Sequence, residues 1–312
     1  MNSSVVTVTL NPALDKTVTI HGMQIGGLNR VQQMRLDPGG KGINVAKVLN
    51  QFGVDVIATG LVAGSQGRFL LKQLEEQQIQ TGFLEINGET RTNLKIYDED
   101  SKITTEINEP GFSVNHEDLQ IYRQKLLELL HHTSVLVVGG SLPPGVPEDI
   151  YREYIQMANG LGVKTILDAD GVPFQEGIEG KPYAIKPNRF ELEQWVGHEL
   201  KTESEVVSAG KQLLKTGVSL VLVSMGSEGS IVMDQHETFR VYSFPITPKS
   251  TVGAGDSMVA ALVYSLLNGK TLKDTAVWAT TAGTVTASKS GTQVCTLPEV
   301  QQCVSRVHAS IL

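Results

Sequence analysis

Cysteine is almost missing from this chain: Cys295 and Cys303 are the only two in 312 residues. No disulfide framework and no zinc-ligand spacing can be written with them, and the expected location is a reducing compartment, the cytoplasm. Basic charge is also short. There are 26 Lys and Arg against 33 Asp and Glu, a net charge of −7. The whole-molecule field therefore does not favour nucleic acid or an anionic membrane, and an anionic ligand must be held by a local basic cluster. No apolar run reaches the length of a membrane span. The opening "MNSSVVTVTL" reads as a strand, with no basic leader and too short an apolar stretch for a secretory signal. Several phosphate and nucleophile motifs are absent too. There is no G-x-x-x-x-G-K-[ST], no H-E-x-x-H, no G-x-S-x-G and no protein-kinase set. The dinucleotide pattern G-x-G-x-x-G fails because "GGKGIN" and "GAGDSM" both lack its last glycine, which argues against a dehydrogenase.

What is present is an alternation of short apolar runs and helical patterns. Val5 to Leu10, Val54 to Leu61, Ser134 to Gly140, Val163 to Ala169 and Val218 to Gly226 read as strands. Helix patterns cover Ile43 to Phe52, Gly67 to Gln77, His116 to His131, Pro147 to Ala158, Arg189 to Val196 and Glu203 to Lys215. Continuous apolar strands separated by helices predict an α/β fold, a mainly parallel sheet with helices on both faces. Ligands of such sheets bind beyond the carboxyl ends of the strands. Two segments, Lys16 to Leu36 and Thr90 to Asn108, instead alternate at period two. They predict antiparallel strands with one buried face, paired into a small sheet over the ligand edge.

Three clusters carry candidate chemistry. In "STVGAGDSM" the glycines can turn successive N–H groups toward one point at a helix start, where an anion is favoured. Asp256 is then either a residue that caps or charges the first turn, or a carboxylate that takes a proton from an attacking hydroxyl. In "DPGGKGINVAKVLNQFG", Asn44 can donate to and accept from sugar hydroxyls and Lys41 offers a point charge for phosphate. The other reading is a strand–turn–helix joint with an exposed lysine. In "KPNRFELEQ", Asn188 and Glu191 share one helical face. They suit a water-shelled Mg²⁺ or, equally, a capping box.

The order of these clusters, with "SLPPG" between the second and third, resembles the ribokinase-like (PfkB) carbohydrate kinases over nearly the whole chain. "TLNPALD", "TRTN" and "SLPPGV" are similar to its sugar-phosphate branch, which acts on fructose 1-phosphate, tagatose 6-phosphate or fructose 6-phosphate. "DPGGKGINVAKVL" and "TEINEPG" are most similar to the 1-phosphofructokinases of that branch. The resemblance implies one ribokinase-like domain over residues 1–312, with a β lid from inserted segments about 12–36 and 89–108 that often clasps two subunits into a homodimer. It implies ATP and Mg²⁺ as cofactors and a sugar phosphate as substrate.

Residue by residue, the resemblance makes Asp256 the general base and the backbone of Gly253, Ala254 and Gly255 the anion hole. Asp15 and Asn44 would hold sugar hydroxyls, with Gly39 and Gly40 allowing close approach. Arg30, Lys41, Arg91 and Ser141 would hold the substrate phosphate. Lys186, Asn188, Ser224, Gly226, Gly229 and Thr251 would line the nucleotide, with Gly253 and Gly255 again beside it, and Asn188 and Glu191 would serve Mg²⁺ through water. "ITTEIN" lacks an arginine that some fructose 6-phosphate kinases of the branch carry, which favours fructose 1-phosphate. Tagatose 6-phosphate is the nearest rival substrate. A non-catalytic sensor on the same fold would not need Asp256 and its glycines, all of which are present.

Overall fold

The Val-rich runs build one large sheet, and the period-two segments build a second. The computed structural model describes residues 4–312. In chain order the strands are β1 (Ser4–Thr9), β2 (Ala13–Ile20), β3 (Gln33–Gly39), β4 (Val56–Ala63), β5 (Gln80–Thr81), β6 (Leu84–Ile86), β7 (Arg91–Asp98) and β8 (Ile103–Asn108). They continue with β9 (Thr133–Gly139), β10 (Lys164–Asp168), β11 (Ala184–Ile185), β12 (Leu220–Ser224), β13 (Ser230–Met233), β14 (Thr238–Tyr242) and β15 (His308–Ile311). The helices are α1 (Lys41–Gln51), α2 (Gly64–Glu76), α3 (His116–Leu130), α4 (Ile150–Gly160), α5 (Gly171–Glu179), α6 (Arg189–Val196), α7 (Glu203–Lys215), α8 (Ala254–Leu267), α9 (Leu272–Ala287) and α10 (Leu297–Cys303). No helix among the described residues is long and apolar enough to cross a membrane.

The large sheet runs β15-β14-β13-β12-β11-β10-β9-β1-β4-β5, with β6 also beside β4. From β4 across to β12 the strands are parallel, as expected. Beyond β12 the order turns antiparallel through β13, β14 and β15, an edge that the sequence reading missed. Alternate residues of each strand enter different cores. Val5, Val135, Val137, Leu220 and Leu222 pack with α1, α8 and α9 on one face. Val6, Leu136, Val138, Val221 and Val223 pack with α3, α4 and α7 on the other. Two buried faces explain why these strands read as unbroken apolar runs.

The small sheet has the order β3-β2-β7-β8. Its outer pairs are antiparallel, but β2 and β7 are parallel, contrary to the expectation of an all-antiparallel lid. Both strands leave the carboxyl edge of the large sheet, β2 after β1 and β7 after β6, so they run the same way. Residues paired across strands share a face. The register puts Asp15, Asp37, Asn93, Asn108, Thr17, Arg35, Lys95 and Glu106 on one polar face. Leu14, Val18, Leu36, Met34, Leu94, Ile96 and Ile107 lie on the other. Met34, Ile103 and Ile107 are left 58%, 61% and 54% exposed.

Candidate active site

The polar lid face and the carboxyl ends of the parallel strands meet around one group of charges. β1 ends at Thr9, whose hydroxyl accepts from the Ile43 N–H at 3.1 Å and so seats the start of α1. A β-carbon on Gly42 would stand 2.6 Å from the Val8 carbonyl oxygen, so only glycine lets this helix end lie so close to the strand. Lys41 and Asn44 thereby sit over the sheet edge. β10 delivers Asp168 and β11 leads into Lys186. Lys41 Nζ lies 2.8 Å and Lys186 Nζ 3.3 Å from Asp168 Oδ1. Burial alone would raise the Asp168 carboxyl, but the Lys186 and Lys41 ammonium groups outweigh it and hold it below the usual carboxylate range. Burial likewise works against the Lys41 ammonium, and Asp168 and Glu191 overcome it, so Lys41 stays charged.

Asp256 is buried at the third position of α8. Its Oδ2 accepts from Asn44 Nδ2 at 2.8 Å, and its carboxylate caps no backbone N–H; the N-cap is Gly253, in the left-handed region at φ 76°. Asp256 therefore does not cap the helix, and of the non-catalytic reading only the other half holds: it is the acidic residue of the first turn. Burial, reinforced by the Asp168 charge, pushes its pKa up to about 6, against the pull of Lys41, Asn44 and Lys186. Beside it, the N–H groups of Gly253, Gly255 and Asp256 find no acceptor among the described residues, whereas Ala254 N–H reaches the Thr251 carbonyl at 3.3 Å. Ala254 therefore contributes less to the proposed anion hole than its glycine neighbours. A β-carbon on Gly255 would come 3.3 Å from Lys186 Nζ, so the free N–H groups and an ammonium converge there. Such a corner stabilises an anion, and next to it stands a carboxylate able to hold a proton near neutrality.

On the lid side, Asp15 is 5% exposed. Lys95 Nζ lies 2.9 Å from its Oδ2, and Asn93 Nδ2 donates to Oδ1 at 3.3 Å. A β-carbon on Gly39 would stand 2.6 Å from the Asp15 carboxylate, so the backbone approaches it closely. Arg91 donates to the carbonyls of Glu109 and Asn11, each at 3.0 Å, and to Ser141 Oγ at 2.9 Å. Its Nε is buried without an acceptor. Eight buried side-chain polar atoms lack a partner among the described residues, and four of them, on Asn11, Arg91, Asn93 and Asp168, are here. Unpaired buried polar atoms are costly, and their concentration at one place marks a polar ligand site.

The other anticipated residues divide. Asn188 and Glu191 form the capping box of α6: Asn188 Oδ1 accepts from the Glu191 N–H, and Glu191 Oε2 from the Asn188 N–H, each at 2.8 Å. Burial raises the Glu191 carboxyl. Its Oε1 enters no hydrogen bond among the described residues, which leaves it able to accept from a metal-bound water. Magnesium keeps several waters, so this donor set fits it at second hand and not as a direct cage. Ser224 ends β12, Gly226 and Gly229 form the turn after it with φ of 58° and 98°, and Thr251 precedes α8. Arg30 lies exposed on the lid loop and, among the described residues, makes no hydrogen bond or ion pair with the cluster, so this chain's own fold does not bring it to the site.

Sequence reasoning missed Asp168, Lys95 and Asn93. For Asp168 a signal existed, since "DADG" closes a strand at the ligand edge. Lys95 and Asn93 become visible only through the β2–β7 register, which pairs segments almost 80 residues apart.

A model of the pfkB family of carbohydrate kinases matches residues 8–300. The chain is 32% identical over 311 residues to a 1-phosphofructokinase of Haemophilus influenzae, covering 99% of each. It is 34% identical over 270 residues to a tagatose-6-phosphate kinase of Staphylococcus epidermidis, covering 86% of each. The crystal structure of phosphofructokinase-2 from Escherichia coli in complex with potassium superposes with a TM-score of 0.91 at 29% identity, over 98% of this chain and 99% of that one.

Proposed function

Because the chain belongs to the pfkB family of carbohydrate kinases, and is thus a phosphotransferase, we propose that it moves the γ-phosphoryl group of ATP to a hydroxyl of a phosphorylated ketohexose. The preferred acceptor is fructose 1-phosphate, giving fructose 1,6-bisphosphate. One observation carries the reading: Asp256, which accepts from Asn44 on α1, stands beside three N–H groups without acceptors among the described residues, while Arg91 Nε is left unpaired at the base of the lid.

In this reading the kinase domain spans the chain, the small sheet is its lid, and the enzyme works in the cytoplasm. Asp15, fixed through both oxygens by Asn93 and Lys95, holds sugar hydroxyls. Arg91, Ser141 and Lys41 hold the phosphate already on the sugar. Asn44 gives an N–H to Asp256 and keeps its amide oxygen for the sugar. Asp256 accepts the proton of the acceptor hydroxyl as the phosphoryl group leaves ATP. The Gly253 and Gly255 N–H groups and Lys186 stabilise charge on the group in transit. Glu191 and Asn188 would hold magnesium through water, where it would supply charge neutralisation on the ATP phosphates. Ser224, Gly226, Gly229 and Thr251 line the nucleotide.

An ADP-release assay across three sugar phosphates tests the substrate. The expected result is the highest kcat/KM with fructose 1-phosphate; a tenfold preference for tagatose 6-phosphate or fructose 6-phosphate overturns the choice.

The apolar lid face has a consequence for assembly. A cluster of exposed Met34, Ile103 and Ile107, with Ile25, Leu28 and Val31 on the adjoining loop, favours burial against another apolar surface. The expected species is a homodimer joined through the two lids. Sedimentation at micromolar concentration should give twice the chain mass, and a monomer there removes the clasp.

A further inference from the structure

The lid reaches the large domain's nucleotide side at one point. Arg35, on the polar face of β3, gives Nε to Asp37 Oδ2 at 2.6 Å and Nη2 to Thr292 Oγ1 at 3.1 Å. Thr292 lies on the loop between α9 and α10. Among the described residues, this is the only hydrogen bond between the lid sheet and that loop. The guanidinium also fills the space that a β-carbon on Gly291 would need, and Gly291 has a φ of 62°. A glycine here both permits the turn and makes room for the arginine.

Each end of this contact leads to a different half of the site. On the lid side, Asp37 in β3 is paired with Asp15, two residues before the strand ends at Gly39 and gives way through Gly40 to α1. On the other side, the loop is tied at its root to the approach of α8. Lys249 and Ser250 N–H groups both reach the Ala287 carbonyl, at 2.9 and 3.4 Å. Thr286 Oγ1 accepts from the Cys295 N–H at 3.1 Å and lies 2.8 Å from Ser257 Oγ, next to Asp256. A charged, forked side chain thus joins the end of β3, beside Asp15, to the segment that presents Thr251, Gly253 and Asp256.

We infer that Arg35 is a positioning residue that latches the lid onto the Gly291–Thr292 turn, so that sugar and nucleotide binding favour the same closed arrangement. Arg35 acts through Asp37 on one side and through the loop on the other. The coupling is reciprocal: whatever factor the sugar contributes to nucleotide affinity, the nucleotide returns to the sugar. This inference rests on the proposal that the sugar phosphate lies under the lid and the nucleotide beyond Asp256.

The test compares the unaltered protein with Arg35→Ala, Thr292→Val and the double variant. Thr292→Val keeps the shape and removes the acceptor, which avoids the backbone strain of replacing Gly291. Binding of adenylyl imidodiphosphate is measured with and without saturating fructose 1-phosphate. The sugar should tighten nucleotide binding in the unaltered protein. Each single variant should lose that coupling by about tenfold, the scale of one hydrogen bond to a charged group, while nucleotide affinity without sugar stays unchanged. The double variant should be no worse than Arg35→Ala, because both remove one contact. Coupling that survives in folded Arg35→Ala, or losses that add in the double variant, overturns the latch. Amide exchange in ligand-free protein gives a second readout that needs no substrate. Exchange across Gln33–Gly39 should quicken in both single variants, and an unchanged rate overturns the latch even if fructose 1-phosphate proves the wrong sugar.

Discussion

Arg91→Ala should raise the KM for the sugar phosphate by about 10- to 100-fold, the range for losing a charge-assisted hydrogen bond, while the KM for ATP stays nearly constant. The reason is geometric. Arg91 sits at the base of the lid, where β7 leaves the large sheet, and spends Nη1 and Nη2 on two carbonyls and Ser141. Those bonds orient the guanidinium, and its buried Nε remains without an acceptor. Burial lowers its pKa, while Asp15 and Glu109 pull the other way. A planar fork with one unpaired donor suits a phosphate oxygen better than a point charge would. Arg91→Lys keeps the charge and loses the fork, so it should recover only part of the affinity. It also controls for loosening of the lid through the lost Asn11 and Glu109 contacts. If the KM for ATP moves and that for the sugar does not, Arg91 has been given the wrong ligand.

Much of this architecture was legible in the sequence because burial on two faces leaves an unmistakable mark. Val5 to Leu10 and Ser134 to Gly140 carry no charged residue, and both are strands of the sheet centre; the only polar side chains inside the first, Thr7 and Thr9, are buried with the rest. Helices α6 and α7 start at Arg189 and Glu203, where the sequence reading put them, each behind a capping box, Asn188 with Glu191 and Thr202 with Glu205. Helix α9 was harder, because "TTAGTVTA" is rich in β-branched residues that disfavour helix when considered alone. In the structure, Thr275, Thr281 and Thr284 each return a hydroxyl to the carbonyl four residues back, which satisfies them inside the helix. The antiparallel edge was missed because β13 and β14 are only four and five residues long, and their turn "DQHE" lacks a strong turn residue pair.

The site was legible where chemistry is local and opaque where it is assembled at a distance. Gly253 to Asp256 form one turn, so their joint role can be read from adjacent letters. The Asp168 ion pairs with Lys41 and Lys186 depend on β10 and β11 ending at the edge where the start of α1 is seated on β1. The Asn188–Glu191 pair shows a further limit: one spacing served two readings, and the structure displays the capping box while leaving a carboxylate oxygen over. For Arg30, similarity of motif suggested a phosphate contact, yet the side chain stands in solvent on the lid loop.

The central claim is that Asp256 takes the proton of the acceptor hydroxyl, and Asp256→Asn tests it most directly. Asparagine keeps the shape and can still meet Asn44, but it cannot accept a proton. Loss of a general base costs about 10²–10⁴ in rate, so kcat should fall by that much. ATP affinity should hold or improve, since a negative charge near the γ-phosphate has gone. The pH profile adds a signature. With a pKa pushed up to about 6, Asp256 is protonated and inactive below that pH, so kcat/KM of the unaltered enzyme should fall as pH drops through it. The second ionisation of a phosphate ester also lies near 6, so the informative quantity is the part of the acid limb that the asparagine variant lacks. The decisive measurement is kcat and nucleotide binding of Asp256→Asn across pH, with circular dichroism to establish folding. The account predicts a folded protein that binds ATP normally, turns over at least a hundredfold more slowly and has lost that share of the acid limb. A folded variant that keeps more than about a tenth of the original kcat, above the lower bound for a missing base, contradicts it.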